Sequence, residues 1–487
     1  MPGIIDHFVV VMLENRSFDN VLGWTYAPDN PPQWQTPKHF IPPQDRRPFD
    51  GLSPRTYWNE TAGPNPQRVY ATRGTTGPSP YTVPAPDPQE LFDHMNFQQF
   101  ETETPNQGQA ATMGGFLKDY ATRARNPNPE QIMETYSPEQ LPAMAALARG
   151  YAVSDRWFGS VPCQTWPNRA FVHAGTSCGR VNNCDHNEDN CIPDPGHYDK
   201  CPIFNVLEEL GHSWTIYNDT VLMSLARAQF IEHLALMPEQ RFRSFDDFKQ
   251  DAAAGTLPKY SFLEPSFIIE PNDQHPPHHM LVGDKFIHDI FKAVSRGPKW
   301  GSTLLLITYD EHGGCYDHRG PKWTATPPDN SRPQQSFGFN RWGPRVPAIL
   351  VSPLIEAGTV FRSPLPDVEY DHTAVLATLR DWLGIPPASM LKSKRIQKAP
   401  TLFDVLTLKQ PRTDLPDIEE PMITDDMLAP TDQPLNAIQK AVIAGTVMRE
   451  SALPQEQRAD HVANLLSRLQ TEAQAVDYLR GRALDQI

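Results

Sequence analysis

Apolar positions follow two different rhythms along this chain. Residues 4–13, 303–309 and 348–351 are nearly unbroken apolar runs rich in β-branched side chains, the pattern of strands covered on both faces. Shorter runs at 151–153, 213–217 and 260–263 predict further strands. Between them, helical spacing is read at 90–100, 115–123, 141–149, 203–210, 246–254, 279–294 and 372–383. Strands alternating with helices over most of the chain predict an α/β fold, a layered core whose central, mostly parallel sheet carries helices on both faces.

Two stretches depart from that alternation. Residues 24–88 are rich in Pro, Trp and Tyr and have no sustained period, which predicts a long excursion over the surface. Proline totals 51, about twice ordinary usage, and is spread along the chain, so ordered loops are expected rather than disorder. A change in composition at 399–416 suggests a boundary, giving a catalytic domain over 1–405 and a small helical C-terminal appendage over 406–487. In that appendage 435–448 is helical, and Val462, Leu465, Leu466, Leu469, Ala473, Val476 and Leu479 recur at helical spacing. Such a stripe is expected to pack on the core or on a partner.

Charge and cysteine usage narrow the function classes. A net charge of −15 argues against a nucleic-acid-binding face, while peripheral contact with a zwitterionic membrane is tolerated. No apolar run has the length of a membrane span. The N-terminus has neither a basic flank nor a cleavage pattern, so synthesis in the cytoplasm without an N-terminal signal is the expectation. Cys178, Cys184, Cys191 and Cys201 crowd one loop at spacings unlike a zinc site and are expected to form disulfides, which favour an extracytoplasmic destination. Export by a signal-independent secretion route, as of a toxin, would reconcile the two.

The candidate chemistry sits where the buried runs end. Asp310 and Glu311 follow the run 303–309, and Glu14 and Asn15 follow the run 4–13. Anionic oxygens at strand ends suit a hard divalent cation. Thr165 lies between Pro162 and Pro167, in a loop with little freedom, and a threonine alcohol becomes a useful nucleophile when a cation favours its alkoxide. His312 and His318 flank a Gly-Gly turn and are candidates for orienting the carboxylates, with a structural hydrogen bond favoured for His318. Arg16 and Arg169 either clamp phosphate or form ion pairs, the latter favoured by the neighbouring acids. Asp371 and His372 precede a helix and read as a cap and a packing element, and Cys315 as an inert buried thiol.

Five segments, Glu14-Asn15-Arg16-Ser17-Phe18-Asp19, Thr165-Trp166-Pro167-Asn168-Arg169, the run from Tyr309 to His318, Gly343-Pro344-Arg345-Val346-Pro347 and Tyr370-Asp371-His372-Thr373, together resemble the bacterial phospholipase C and acid phosphatase family, which has an alkaline-phosphatase-like core. The resemblance runs in order from residue 4 to about 385. It implies one divalent cation (Ca, Mg, Mn or Zn not distinguished) held by Glu14, Asn15, Thr165, Asp310 and Glu311. It also implies Thr165 as nucleophile through a phosphothreonine, Asn15 on a phosphoryl oxygen, and His275, in Gln274-His275-Pro276-Pro277, as phosphate contact and proton donor. The family's Asp-Pro-x-His segment is matched only as Asp87-Pro88-Gln89-Glu90, so glutamate stands in the histidine's place and His94 is the substitute candidate for phosphate, with His312 and Arg169. The expected activity is phospholipase C-type cleavage of phospholipids. The alternatives are a broad acid phosphatase acting on small phosphate esters and, in another class, an inactive metal-binding interaction protein.

Overall fold

The computed structural model describes residues 5–184, 198–218, 222–450 and 455–484. Nine strands form the main sheet: β1 His7–Leu13, β2 His39–Ile41, β3 Ala152–Ser154, β4 Trp214–Asn218, β5 Phe242–Ser244, β6 Tyr260–Glu264, β7 Thr303–Tyr309, β8 Ala348–Val351 and β9 Thr359–Phe361. Their order is β2-β9-β3-β8-β7-β1-β6-β4-β5. Only β8 runs antiparallel to its neighbours, β7 and β3; the other pairings are parallel. The two long apolar runs are thus the centre of the sheet. Every residue of β1 and of β7 is buried, which is why neither alternates with polar residues.

Helices cover the sheet in two groups. Met280–Arg296 packs against Phe245–Ala254 and Pro142–Gly150, and Thr165–Ala174 packs against Thr373–Leu383, Ile203–Glu209 and Leu225–Gln229. Gly283 and Asp284 show how local sequence fixes this packing. A Cβ at Gly283 would lie 2.2 Å from the Gln274 side chain, so only glycine lets the His275 loop lie on that helix. Asp284 accepts the free N–H groups of Ala143 and Met144 at the start of a neighbouring helix, each at 2.9 Å. No helix among the described residues is long and apolar enough to cross a membrane.

One expectation needs correction and another gains detail. The stretch 24–88 is not merely a surface excursion, because β2 extends the main sheet beside β9, and Trp24 and Leu52 are buried in a second cluster with Phe116, Tyr120 and Tyr316. The apolar stripe at 462–479 is not one helix. It divides into Gln455–Arg468 and Glu472–Leu484, because the chain turns after Leu469 and Thr471 pairs with Pro434. Of the cysteine cluster, Cys184 is disulfide-bonded, Cys178 and Cys201 are free thiols, and Cys191 lies outside the described residues.

The C-terminal helices are embedded in the main core. Leu435, Ile438, Val442 and Val476 belong to the same buried cluster as the strands. A polar clasp adds to this contact. His278 Nε2 lies 2.8 Å from Glu472 Oε1, and Glu472 also accepts from Gln439 at 2.9 Å and Thr431 at 2.5 Å. Asp273 and then Glu472 hold the His278 imidazolium up to about 10 against the effect of burial, and His278 first among its partners brings Glu472 down to about 2. The stability from His278 is complete below its ordinary 6.5 and disappears as pH rises through about 10. That from Glu472 is complete above 4.5 and disappears as pH falls through about 2. Glu472→Gln is therefore expected to lower the melting temperature most between these ordinary values, at a cost of about 3 kcal/mol. The gap to wild type should narrow on both sides in a thermal denaturation series against pH.

Candidate active site

Parallel pairing of β1 with β7 sets Leu13 opposite Tyr309, so the residues that follow, Glu14 and Asp310, leave the sheet side by side. The Asn15 N–H then donates to Asp310 Oδ1 at 3.0 Å and ties the two strand ends together. Asn15 adopts φ 53, a left-handed conformation that asparagine tolerates better than most residues. The Gly313–Gly314 turn is required by close approach as well as by conformation, with φ 61 and 65. A Cβ at Gly313 would lie 2.0 Å from the Asn15 carbonyl oxygen, and one at Gly314 2.6 Å from that of Gln89. These glycines let the carboxylate turn press against both the Glu14 loop and the Asp87–Glu90 loop.

Thr165 reaches the same place from a separate segment. Rather than sitting in a loop, as its flanking prolines suggested, it is the first residue of the helix Thr165–Ala174. Pro167 fits that first turn, where its missing N–H costs nothing. Asn168 pins the preceding loop by donating to the carbonyls of Val161 and Cys163 at 3.2 and 2.7 Å. Thr165 and Arg169 are one helical turn apart and therefore face the same way. Thr165 Oγ1 lies 3.2 Å from Glu14 Oε2 and 3.2 Å from Asn15 Oδ1. Arg169 donates to Glu14 Oε1 from Nε at 2.9 Å and also from Nη2, and to the Met12 carbonyl at 2.9 Å.

The predicted set Glu14, Asn15, Thr165, Asp310 and Glu311 therefore converges, and each member is buried. Glu14 and Asp310 both meet the Arg169 guanidinium, Asp310 Oδ2 at 4.0 Å from Nε, and Glu311 adds a third buried acid beside Asp310. Burial holds Glu14 well above the usual carboxylate range, opposed by Arg169 and reinforced by Asp310. Glu311 is pushed up likewise, by burial first and then by Glu90 and Asp310. Asp310 Oδ2 and Glu311 Oε1 are buried without a hydrogen-bond partner. Orphaned acceptor oxygens beside an unneutralised group of acids are what a divalent cation satisfies, and the all-oxygen donor set fits a hard one. His372 Nε2–H donates to the Asp310 carbonyl at 2.6 Å and so fixes the turn that presents both acids. That is a closer tie to the site than the cap and packing role its sequence suggested.

A cavity of about 20 Å³ opens beside Thr165, lined also by Asp87, Glu90, Asn183 and His275. His275 Nδ1–H donates to the Pro276 carbonyl at 2.7 Å, which leaves Nε2 as the ring nitrogen for the cavity. Ligand atoms of Asp87, Glu90 and His275 lie within 4.8 Å of one another. Glu90 thus occupies the place where the sequence resemblance expected a histidine.

His94, the proposed substitute, is not brought to the cavity. It pairs with Asp119 at 3.0 Å, and Asp119 also accepts from Gln98. His312 lies behind the carboxylates, with Nε2–H donating to Gln98 Oε1 at 2.8 Å and Nδ1 3.4 Å from Glu311 without a hydrogen bond; burial pushes its pKa down to about 3. Arg169 is committed to Glu14, the ion-pair role. Arg16 donates from Nε to the Gln274 carbonyl at 2.7 Å and from Nη1 to that of Val83 at 2.8 Å, holding the His275 loop. His318 and Asp19 belong to a buried charge network with Asp317 and Arg345, away from the cavity. Sequence reasoning missed Asp273, His278, Asn183 and the C-terminal residues 436–438 that line the cavity with Thr165. No local motif marks them.

The chain is similar to several known proteins. A non-specific phospholipase C3 of Arabidopsis thaliana is 31% identical over 427 residues, covering 85% of this chain and 75% of its relative. A phospholipase C B of Mycobacterium tuberculosis is 26% identical over 430 residues, covering 78% and 74%. Among solved structures, a protein in the alkaline phosphatase superfamily from Vibrio parahaemolyticus aligns over 54% of this chain and 65% of its own, at 12% identity and a TM-score of 0.30. The model of the Phosphoesterase family matches residues 5–386, which takes in both strand ends, Thr165 and the His275 loop. The chain belongs to the Phosphoesterase family and is a hydrolase acting on phosphoester bonds.

Proposed function

We propose that this protein is a metal-dependent phospholipase C that cleaves the glycerol–phosphate ester of phospholipids through a covalent intermediate on Thr165. The observation that carries the reading is the placement of Thr165 Oγ1 at 3.2 Å from both Glu14 and Asn15, in a site with two orphaned carboxylate oxygens. The names of the relatives, phospholipases C from a plant and a bacterium, support phospholipid as the substrate.

A divalent cation held by Glu14, Asn15, Thr165, Asp310 and Glu311 would supply positive charge to the attacking alcohol and to a phosphoryl oxygen. The chain's own groups do the rest. The start of the helix Thr165–Ala174 favours negative charge at Thr165 Oγ1 as its proton leaves toward Glu14. Oγ1 forms a bond to phosphorus while the bond to the glycerol oxygen breaks. His275, with Nε2 toward the cavity, protonates that departing oxygen. The phosphothreonine still carries the headgroup. Water, passing a proton to the His275 that has just lost one, then attacks phosphorus; the bond to Oγ1 breaks, the phosphorylated headgroup leaves, and Glu14 returns the proton to Thr165 Oγ1.

The test compares a choline phosphodiester with phosphocholine, the corresponding monoester, as substrates of the same preparation. A kcat/KM at least tenfold higher for the diester is the expected result. Equal or higher activity on the monoester would replace this reading with that of an acid phosphatase.

A further inference from the structure

The cavity beside Thr165 is not built by the family-matched region alone. Asn436, Ala437 and Ile438, at the start of the helix Ala437–Glu450, line it together with Thr165 and His275. The matched region ends at residue 386, so a wall of the site comes from the C-terminal helices.

The same helices are wired to the catalytic groups by a short chain of buried contacts. Glu472 Oε1 holds His278 Nε2 at 2.8 Å, and the opposite ring nitrogen of His278 lies 2.6 Å from Asp273 Oδ1. Asp273 then acts on both sides of the site. Its Oδ1 accepts the His275 N–H at 2.9 Å, and its backbone carbonyl accepts the Glu14 N–H at 2.9 Å. His278 N–H also donates to the His275 carbonyl at 2.5 Å. Glu472 is itself fixed, receiving Thr431 Oγ1 at 2.5 Å and Gln439 Nε2 at 2.9 Å, while Gln439 Nε2 also reaches the Phe267 carbonyl at 2.9 Å. Glu472, Gln439, His278, Asp273, His275 and Glu14 are buried, while Thr431 is exposed.

We propose that Glu472 and His278 are positioning residues for the reaction, which hold Asp273 so that Glu14 and His275 keep their places on either side of Thr165. The C-terminal helices are then a working part of the active site and not an appendage. A doubly held imidazole is well suited to this. Its two nitrogens point in fixed opposite directions, so anchoring one end orients the other. Neither residue touches the reacting atoms, and their effect passes through Asp273.

This inference rests on the hydrolase reading above, so its test has one arm that measures turnover and one that does not. In the full chain, Glu472→Gln is expected to lower kcat on the choline phosphodiester by about tenfold or more with KM changed less than about twofold, since small misplacements of catalytic groups act on kcat. Thr431→Val, which leaves the Glu472 charge in place, should lower kcat in the same direction by less. The double variant Glu472→Gln/His278→Gln should lose no more than the worse single variant, because both lie on one path. The second arm is hydrogen exchange well below the melting transition. Amides of Glu14 and His275 should exchange faster in Glu472→Gln than in wild type, while those of β4 should not change. Unchanged kcat in Glu472→Gln, additive losses in the double variant, or unaltered protection at Glu14 and His275 would each overturn the proposal. A wild type inactive on the choline phosphodiester but with the expected exchange pattern would instead overturn the phospholipase C reading and leave the structural relay standing.

Discussion

Thr165→Val should give a folded protein that has lost turnover on the order of 10⁴-fold or more, the scale seen when a covalent nucleophile is removed. Valine is nearly isosteric with threonine, and Thr165 packs at the start of a helix whose remaining contacts are unaffected. The hydroxyl does, however, meet Glu14 and Asn15, so melting temperature should fall only by the worth of one or two hydrogen bonds, about 1–2 kcal/mol. Loss of activity with near-normal stability separates chemistry from structure. The complementary measurement is acid quench during turnover of the choline phosphodiester by wild type, followed by peptide mass spectrometry. A headgroup-bearing phosphate on Thr165 is expected. Thr165→Ser should retain measurable activity, because serine supplies the same alcohol at the same helix position. Full activity in Thr165→Val would remove the covalent mechanism and transfer attack on phosphorus to water.

Much of this site was legible in the sequence because its parts obey local rules. The runs at 4–13 and 303–309 are apolar without alternation, which marks central strands, and the acids that follow them fall at parallel strand ends that the pairing of β1 and β7 brings together. The two glycines after Glu311 also had a readable cause, since both take positive φ and both sit within van der Waals range of other loops. What was not legible depends on long-range contact. Nothing in Pro162-Cys163-Gln164-Thr165 separates a rigid loop from a helix start; the helix is fixed by Asn168, which holds the loop just before it, and by Arg169, whose partners Glu14 and Met12 lie in a distant segment. The edge strand β2 has only three residues and forms because β9 offers it a free edge, so no period could reveal it. Glu472 lies almost two hundred residues from His278, in a stripe whose helical spacing shows no break. The turn that breaks that stripe is the feature that brings Glu472 to His278.

Chelation with EDTA should abolish activity, by about 10³-fold or more if the cation contributes several kcal/mol to the transition state, and a hard divalent ion should restore it. The stability consequences are more diagnostic than the activity loss. Without a cation, Glu14, Asp310 and Glu311 are like charges buried close together, with one guanidinium paired to Glu14, and burial raises Glu14 and Glu311 well above their ordinary range. A folded-state acid with a raised value binds its proton more tightly than the unfolded chain does. Metal-free protein should therefore lose stability as pH rises above about 4.5, the ordinary glutamate value. Glu311→Gln removes one of these charges while keeping the side chain's shape. At neutral pH the metal-free variant should melt at or above the temperature of metal-free wild type. Added Mg, Mn or Ca should then reverse the order. A ligand at a thousand times its dissociation constant stabilises the folded state by about 4 kcal/mol, and wild type should gain this while Glu311→Gln gains little. Melting curves of both proteins, with and without each ion, give the comparison directly. A Glu311→Gln variant that binds the ion as well as wild type would place the cation elsewhere, and the orphaned oxygens of Asp310 and Glu311 would then need another partner.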